Sequence, residues 1–236
     1  MKNSIAMIAI AGLAAGASAQ ISVNGTVESF DSGTNITPSN GFVSDGFGDF
    51  FTIDGNFGSF VEYNGGDGNF FAAMDIDGEG GPATQTLSFA QINLTNFTNL
   101  QLTVDLAEDD DGSNEDWDVS DSVSFQASID GGGFFDILNI ESIPDGDSFN
   151  AVPAIDTDFS GDGNVGFELT DTFQTFLADI AGTGSTLDHQ AVISLNSGDE
   201  VIAIDNVGVT GTLNPTPGAA AILGLSGLVA TRRRRA

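Results

Sequence analysis

The sequence predicts an all-β chain, an antiparallel two-sheet sandwich of the jelly-roll kind with roughly ten strands. Three observations carry this expectation. Apolar residues recur with period two, the segments between them are rich in Asp, Asn, Gly and Ser, and helical spacing is nearly absent. Strict alternation is clearest at Leu100, Leu102, Val104, Leu106, at Val123, Phe125, Ala127, Ile129, and at Ala191, Ile193, Leu195. Each reads as a strand with one buried face. Short apolar runs bounded by turn residues place further strands near 22–30, 50–53, 58–63, 69–75, 85–92, 134–141 and 165–169. Glycine clusters at Gly65, Gly66, Gly68 and at Gly131, Gly132, Gly133 mark the turns between them.

Two segments need separate treatment. Phe173, Phe176, Leu177 and Ile180 fall at helical spacing, with Asp171 and Gly182 placed as caps. Thr172 and Thr175 favour extended backbone, so a strand is expected there. In the last strand the apolar phase slips from Ile202 and Ile204 to Val207 and Val209, across Asp205 and Asn206. A β-bulge produces that slip.

Charge is distributed as unevenly as it is abundant. The 236 residues include 34 acids and 5 basic residues, with no Cys. Lys2 and Arg232 to Arg235 are the basic residues, and every acid lies between Glu28 and Asp205. Residues 20–214 therefore contain no Lys or Arg, and His189 is the one side chain there that can form an ion pair with a carboxylate. This excludes a disulfide framework and a Cys-ligated zinc site, and a surface that repels phosphate does not bind nucleic acid. Disorder is the other risk of such charge, but 40% hydrophobic residues and 19 Phe are enough for one core. One domain is expected over 20–214.

Both ends read as address labels. Residues 1–19 run from Lys2 through an apolar stretch to Ala17, Ser18, Ala19, the order of a secretory signal peptide with cleavage after Ala19. Residues 215–236 comprise Pro215, Thr216, Pro217, an apolar segment from Gly218 to Ala230, and Arg232, Arg233, Arg234, Arg235. The apolar segment is short of the about 20 residues that cross a bilayer comfortably, and the arginines are expected on the cytoplasmic side. A plain tail anchor is the simpler reading. The layout resembles the PEP-CTERM sorting signals of Gram-negative-type bacteria, departing from the name-giving motif at Thr216. That resemblance implies processing by an exosortase and a location at the cell surface, outer envelope or extracellular matrix.

The run NLTNFTNLQLTVDLAEDDDGSNEDWDVSDSVSFQASIDGGGFFDIL, with AIDTDFSGDG and the closing IAIDNVGVTG, is similar to a β-sandwich module of secreted, often marine, bacterial surface proteins. The similarity covers roughly residues 45–212. It implies a lectin-like or MAM-like jelly roll and no particular activity.

Three acidic segments are candidates for calcium, which takes oxygen ligands. In Asp156, Asp158, Ser160, Asp162 and Asn164, oxygen-bearing side chains alternate through a Gly-containing loop that resembles the start of an EF-hand loop. The residue at the twelfth position is Phe167, with Glu168 one place late, so a shorter loop fits better. Asp-Gly turns with solvated carboxylates are the alternative. A second cluster includes Glu108, Asp109, Asp110, Asp111, Glu115, Asp116 and Asp118, and a third Asp75, Asp77 and Glu79. Solvated charge is the plain reading of both. Trp117 and Tyr63, each the sole residue of its type, could stack on a sugar, although a Trp more often fills a core.

No pair of carboxylates stands out for hydrolysis, and lone His189 has no nucleophile in a recognisable context. No catalytic residue is assigned. The function expected is a non-enzymatic, exported, surface-associated module, stabilised by calcium or salt and associated with exopolysaccharide. A carbohydrate-binding lectin is the first alternative and a polysaccharide-active hydrolase the second.

Overall fold

The computed structural model describes residues 20–31, 35–45, 48–55, 63–66, 68–78, 80–109, 117–143 and 151–214. Residues 1–19 and 215–236, where a signal peptide and a sorting signal are expected, and Glu79, Asp110, Asp111, Glu115 and Asp116 lie outside them. So does most of the strand expected at 58–63.

The described residues form fourteen strands. The first seven are β1 Gln20–Glu28, β2 Ile36–Pro38, β3 Val43–Ser44, β4 Phe50–Asp54, β5 Phe70–Met74, β6 Thr84–Phe89 and β7 Ile92–Asn93. The others are β8 Phe97–Ala107, β9 Ser122–Ile129, β10 Phe135–Ser142, β11 Pro153–Asp156, β12 Gln174–Ile180, β13 Thr186–Ser194 and β14 Val201–Leu213. One sheet runs β12-β8-β14-β5-β4-β3, with β1 also on β14. The other runs β11-β10-β9-β13-β6-β2, with β7 on β13. Every ladder is antiparallel. The chain crosses repeatedly between the sheets, giving the jelly-roll sandwich that the alternation predicts.

Alternation sets the packing. Along β8, Leu100, Leu102, Val104 and Leu106 are buried while Gln101, Thr103 and Asp105 are half-buried. They share one core with Phe51, Phe71, Phe125, Ile140, Ile193 and Ile204. β5 is buried on both faces: Phe71 and Ala73 join that core, and Phe70, Ala72 and Met74 join a second cluster with Phe50, Ala107, Val201 and Ala203. This double burial explains its unbroken apolar sequence.

The expected phase slip in β14 is present. Pairing with β8 moves from Asp205↔Asp105 to Gly208↔Thr103, and Asn206 takes a left-handed φ of 49°. One extra residue on β14 turns Val207 and Val209 back into the core. The segment with helical spacing is strand β12, paired with β8 from Gln174↔Leu106 to Ile180↔Leu100.

Two expectations are corrected. Residues 165–169 are not a strand. Gly166 has a left-handed φ of 94°, the Phe167 N–H closes a turn onto Asn164 O, and one isolated bridge, Ala154↔Glu168, is all that pairs. Residues 85–92 form two strands, with β6 ending at Phe89 and β7 beginning at Ile92.

Candidate functional site

At one side of the sandwich the edge strands β11 and β12 leave a cleft of about 400 Å³ between the sheets, within the roughly 300 to 1,000 Å³ of small-molecule sites. Ile137, Leu138, Ile155 and Ala178 line it and are nearly fully buried. Three exposed apolar side chains also line it: Phe135 at 36%, Phe159 at 51% and Leu177 at 60% exposure. Two exposed carboxylates accompany them. Gln126 Nε2 donates to Asp136 Oδ1 at 2.8 Å and Gln101 Nε2 donates to Asp179 Oδ1 at 3.0 Å. Each carboxylate is thus oriented through one oxygen and keeps the other as an acceptor.

Phe159 is held in an unusual way. Its φ of 56° lies in the left-handed region, which costs a bulky residue about 1–2 kcal/mol. The loop around it imposes that conformation through Asp156, which is buried. Asp156 Oδ1 accepts from Asp158 N at 3.1 Å, and Oδ2 accepts from Gly161 N at 2.9 Å. Asn164 Oδ1 accepts from Thr157 N at 2.6 Å and closes the other end. Burial pushes the Asp156 carboxyl up, but the N–H groups of Gly161, Asp158 and Ser160 outweigh it and hold it below its ordinary value.

These bonds decide what the predicted calcium loop does in this structure. Both Asp156 oxygens are engaged by the loop's own N–H groups, and Asp158, Ser160 and Asp162 are exposed. Asp156, Asp158 and Asp162 are not a group with oxygens within 4.8 Å of one another; among the described residues, Asp118, Asp121 and Glu200 are. Nearby, Glu141 on β10 is pushed up to about 7, first by burial and then by Asp156, Asp136 and Asp162.

The other sequence candidates are placed as follows. Trp117 is 0% exposed, packs in the main core and donates Nε1 to Val201 O at 3.3 Å. It offers no face to a sugar, which corrects the stacking assignment. Tyr63 is half-buried, its ring edge-on to Phe70 at 5.2 Å and tilted against Phe173 at 5.9 Å. Its hydroxyl is enclosed, and burial, then Asp109 and Glu108, raise its pKa well above the ordinary value. Asp75 and Asp77 do meet, together with Asp49, which the sequence did not single out. Burial, then Asp49 and Asp77, raise Asp75 to about 6.

A second cavity of about 220 Å³ is lined by Glu28, Asn35, Phe89, Ile92 and His189. His189 stacks on Phe89 at 4.9 Å, and burial lowers its pKa to about 4 against the opposing pull of Asp188. It is a neutral core imidazole at neutral pH.

No protein-family model matches the sequence, and no curated protein is significantly similar to it. The fold has distant likenesses among solved structures. The K3 cleaved adhesin domain of Lys-gingipain from Porphyromonas gingivalis is 17% identical, with 81% of this chain and 99% of that chain covered and a TM-score of 0.41. The CBM22-1 xylan-binding domain from Paenibacillus barcinonensis Xyn10C is 13% identical, covering 80% and 95%, at 0.37. An apo-form cyclase from Fischerella sp. is 12% identical, covering 84% and 98%, at 0.44. A fold does not specify an activity; the residues of a site do.

Proposed function

We propose that this chain is an exported cell-surface module that binds a neutral polysaccharide in the cleft between β10, β11 and β12. The observation that carries the reading is Phe159. A bulky aromatic in a left-handed conformation, with half its surface in water, is unfavourable twice over for the free protein. A pyranose stacked on it would recover the exposed apolar area, and a carboxylate at the cleft rim, Asp136 or Asp179, would accept a hydroxyl hydrogen. The absence of Lys and Arg from residues 20–214 favours a neutral glycan over an anionic one.

Export and surface retention are supported by the order of residues in 1–19 and 215–236. In this reading an exosortase-type enzyme processes the tail, and exopolysaccharide outside the cell is the ligand. Calcium belongs to the same proposal as a stabiliser, since residues 20–214 have no positive side chain to set against 34 acids. Replacing Arg232, Arg233, Arg234 and Arg235 with Ala tests retention by changing where the protein accumulates.

Affinity electrophoresis tests the ligand. The purified chain should be retarded in gels containing a soluble neutral polysaccharide such as xylan or a β-glucan, but not in alginate. Phe159→Ala and Phe135→Ala should each restore free migration. Equal migration in every gel would overturn the carbohydrate reading.

A further inference from the structure

Where β9 and β14 begin, three carboxylates meet, and the described residues include no Lys or Arg to pair with them. Asp118, Asp121 and Glu200 each present an oxygen, and the three oxygens lie within 4.8 Å of one another. Asp121 is 1% exposed, Glu200 is 2% exposed and Asp118 is half-buried. The surrounding loops hold each carboxylate by one oxygen. Asp118 Oδ1 accepts from the N–H and the hydroxyl of Ser120, both at 2.6 Å. Asp121 Oδ2 accepts from Asp118 N. Glu200 Oε2 accepts from Asn196 N at 2.6 Å and from Ser197 N at 2.8 Å. Asn196 Nδ2 donates to Ser120 Oγ at 2.9 Å, tying the two loops together.

The decisive atom is Asp121 Oδ1, which is enclosed and, among the described residues, meets no N–H or hydroxyl donor. The Asp121 carboxyl lies against that of Glu200. A buried carboxylate oxygen with no donor, beside a second buried carboxylate, is unfavourable unless positive charge sits between them. Oxygens held about 2.4 Å from one ion lie no more than about 4.8 Å apart, and the three oxygens here fall within that limit.

We propose that Asp118, Asp121 and Glu200 bind a hard divalent cation of the calcium class, with water completing its coordination. Carboxylate oxygens are the donors, and no thiol or imidazole accompanies them, which selects calcium over softer metals. The site is separate from the cleft, and its occupancy does not depend on what the cleft binds. A proton shared by Asp121 and Glu200 is the competing occupant.

Trp117 supplies the test, because it is the sole Trp and adjoins the site from two directions. It precedes Asp118 in the chain, and its Nε1 bonds the carbonyl of Val201, the residue after Glu200. The full-length chain, stripped with chelator, is titrated with terbium(III) while Trp is excited. Sensitised terbium emission should saturate and be displaced by excess calcium. The apparent affinity should fall at least tenfold in Asp121→Asn and in Glu200→Gln, yet stay within twofold in Asp158→Asn and Asp77→Asn. Asp118→Asn, at a half-exposed position, should show the same loss and covers the case in which a buried substitution fails to fold by circular dichroism. Absence of sensitised emission from the wild-type chain would assign the pair to a shared proton and overturn the proposal. Unchanged affinity in Asp121→Asn, or loss of emission in Glu115→Gln alone, would overturn it as well.

Discussion

Replacing Glu141 with Gln should stabilise the protein at pH 8 and leave it nearly unchanged at pH 5. Glu141 sits on β10 beside Asp136, Asp156 and Asp162, and the described residues include no Lys or Arg to relieve it. Its carboxyl holds a proton up to about pH 7 instead of 4.5. The folded state therefore binds more protons than the unfolded one, and the contribution present below the unfolded pKa is lost as pH rises through about 7. At about 1.4 kcal/mol per pH unit the difference is worth about 3 kcal/mol. The side chain is only half-buried, and solvent screening leaves about 1–2 kcal/mol. Gln keeps the shape and removes the charge, so Tm at pH 8 should rise by about 5 °C for a domain of this size. Thermal melts of wild type and variant at pH 5 and pH 8, in chelator at one ionic strength, measure it. An equal effect at both values, or a loss of stability at pH 8, would refute the reasoning.

Phe159→Asn should abolish polysaccharide binding while keeping Tm within about 3 °C, because relief of about 1–2 kcal/mol of left-handed strain offsets the loss of a half-buried ring; a large drop in Tm would make Phe159 a structural residue. Trp117→Ala should lower stability by about 3–5 kcal/mol, as truncation of a fully buried aromatic does, and a variant that melts like wild type would contradict the core placement. In millimolar calcium the chain should melt at higher temperature than in chelator at the same ionic strength, and an identical midpoint would remove the calcium claim.

Alternation along β8, β9 and β13 made the framework legible, because every second side chain there enters one core. The bulge in β14 was legible for the same reason: Ile204 and Val207 cannot both face inward without an extra residue between them. Val165, Phe167 and Leu169 alternate as a strand would, yet Gly166 turns the chain and leaves Val165 79% and Phe167 52% exposed. Period two identifies strands where the backbone is extended and misleads where a left-handed glycine interrupts it.

The sites were less legible because they depend on which strands become neighbours. Phe135 carried a signal, as part of an aromatic pair directly after three glycines, and so did Phe159, alone among Asp, Ser and Gly. An aromatic within a polar turn has no core to enter. Rarity drew attention to Trp117 instead, although size and the need for one hydrogen bond suit it to burial. Asp118, Asp121 and Glu200 meet because β13 pairs with β9 through Ser194↔Ser122, which brings the loop after β13 to the start of β9. The 78 residues between Asp121 and Glu200 give no hint of that meeting.

Backbone amide spectra of the ¹⁵N-labelled chain, titrated with a soluble oligosaccharide of a polysaccharide that retards it, test the cleft most directly. Shift changes confined to Phe135–Leu138, Phe159 and Leu177–Ala181, and absent in Phe159→Ala, are the expected result. Changes centred on any other face of the sandwich would contradict the account.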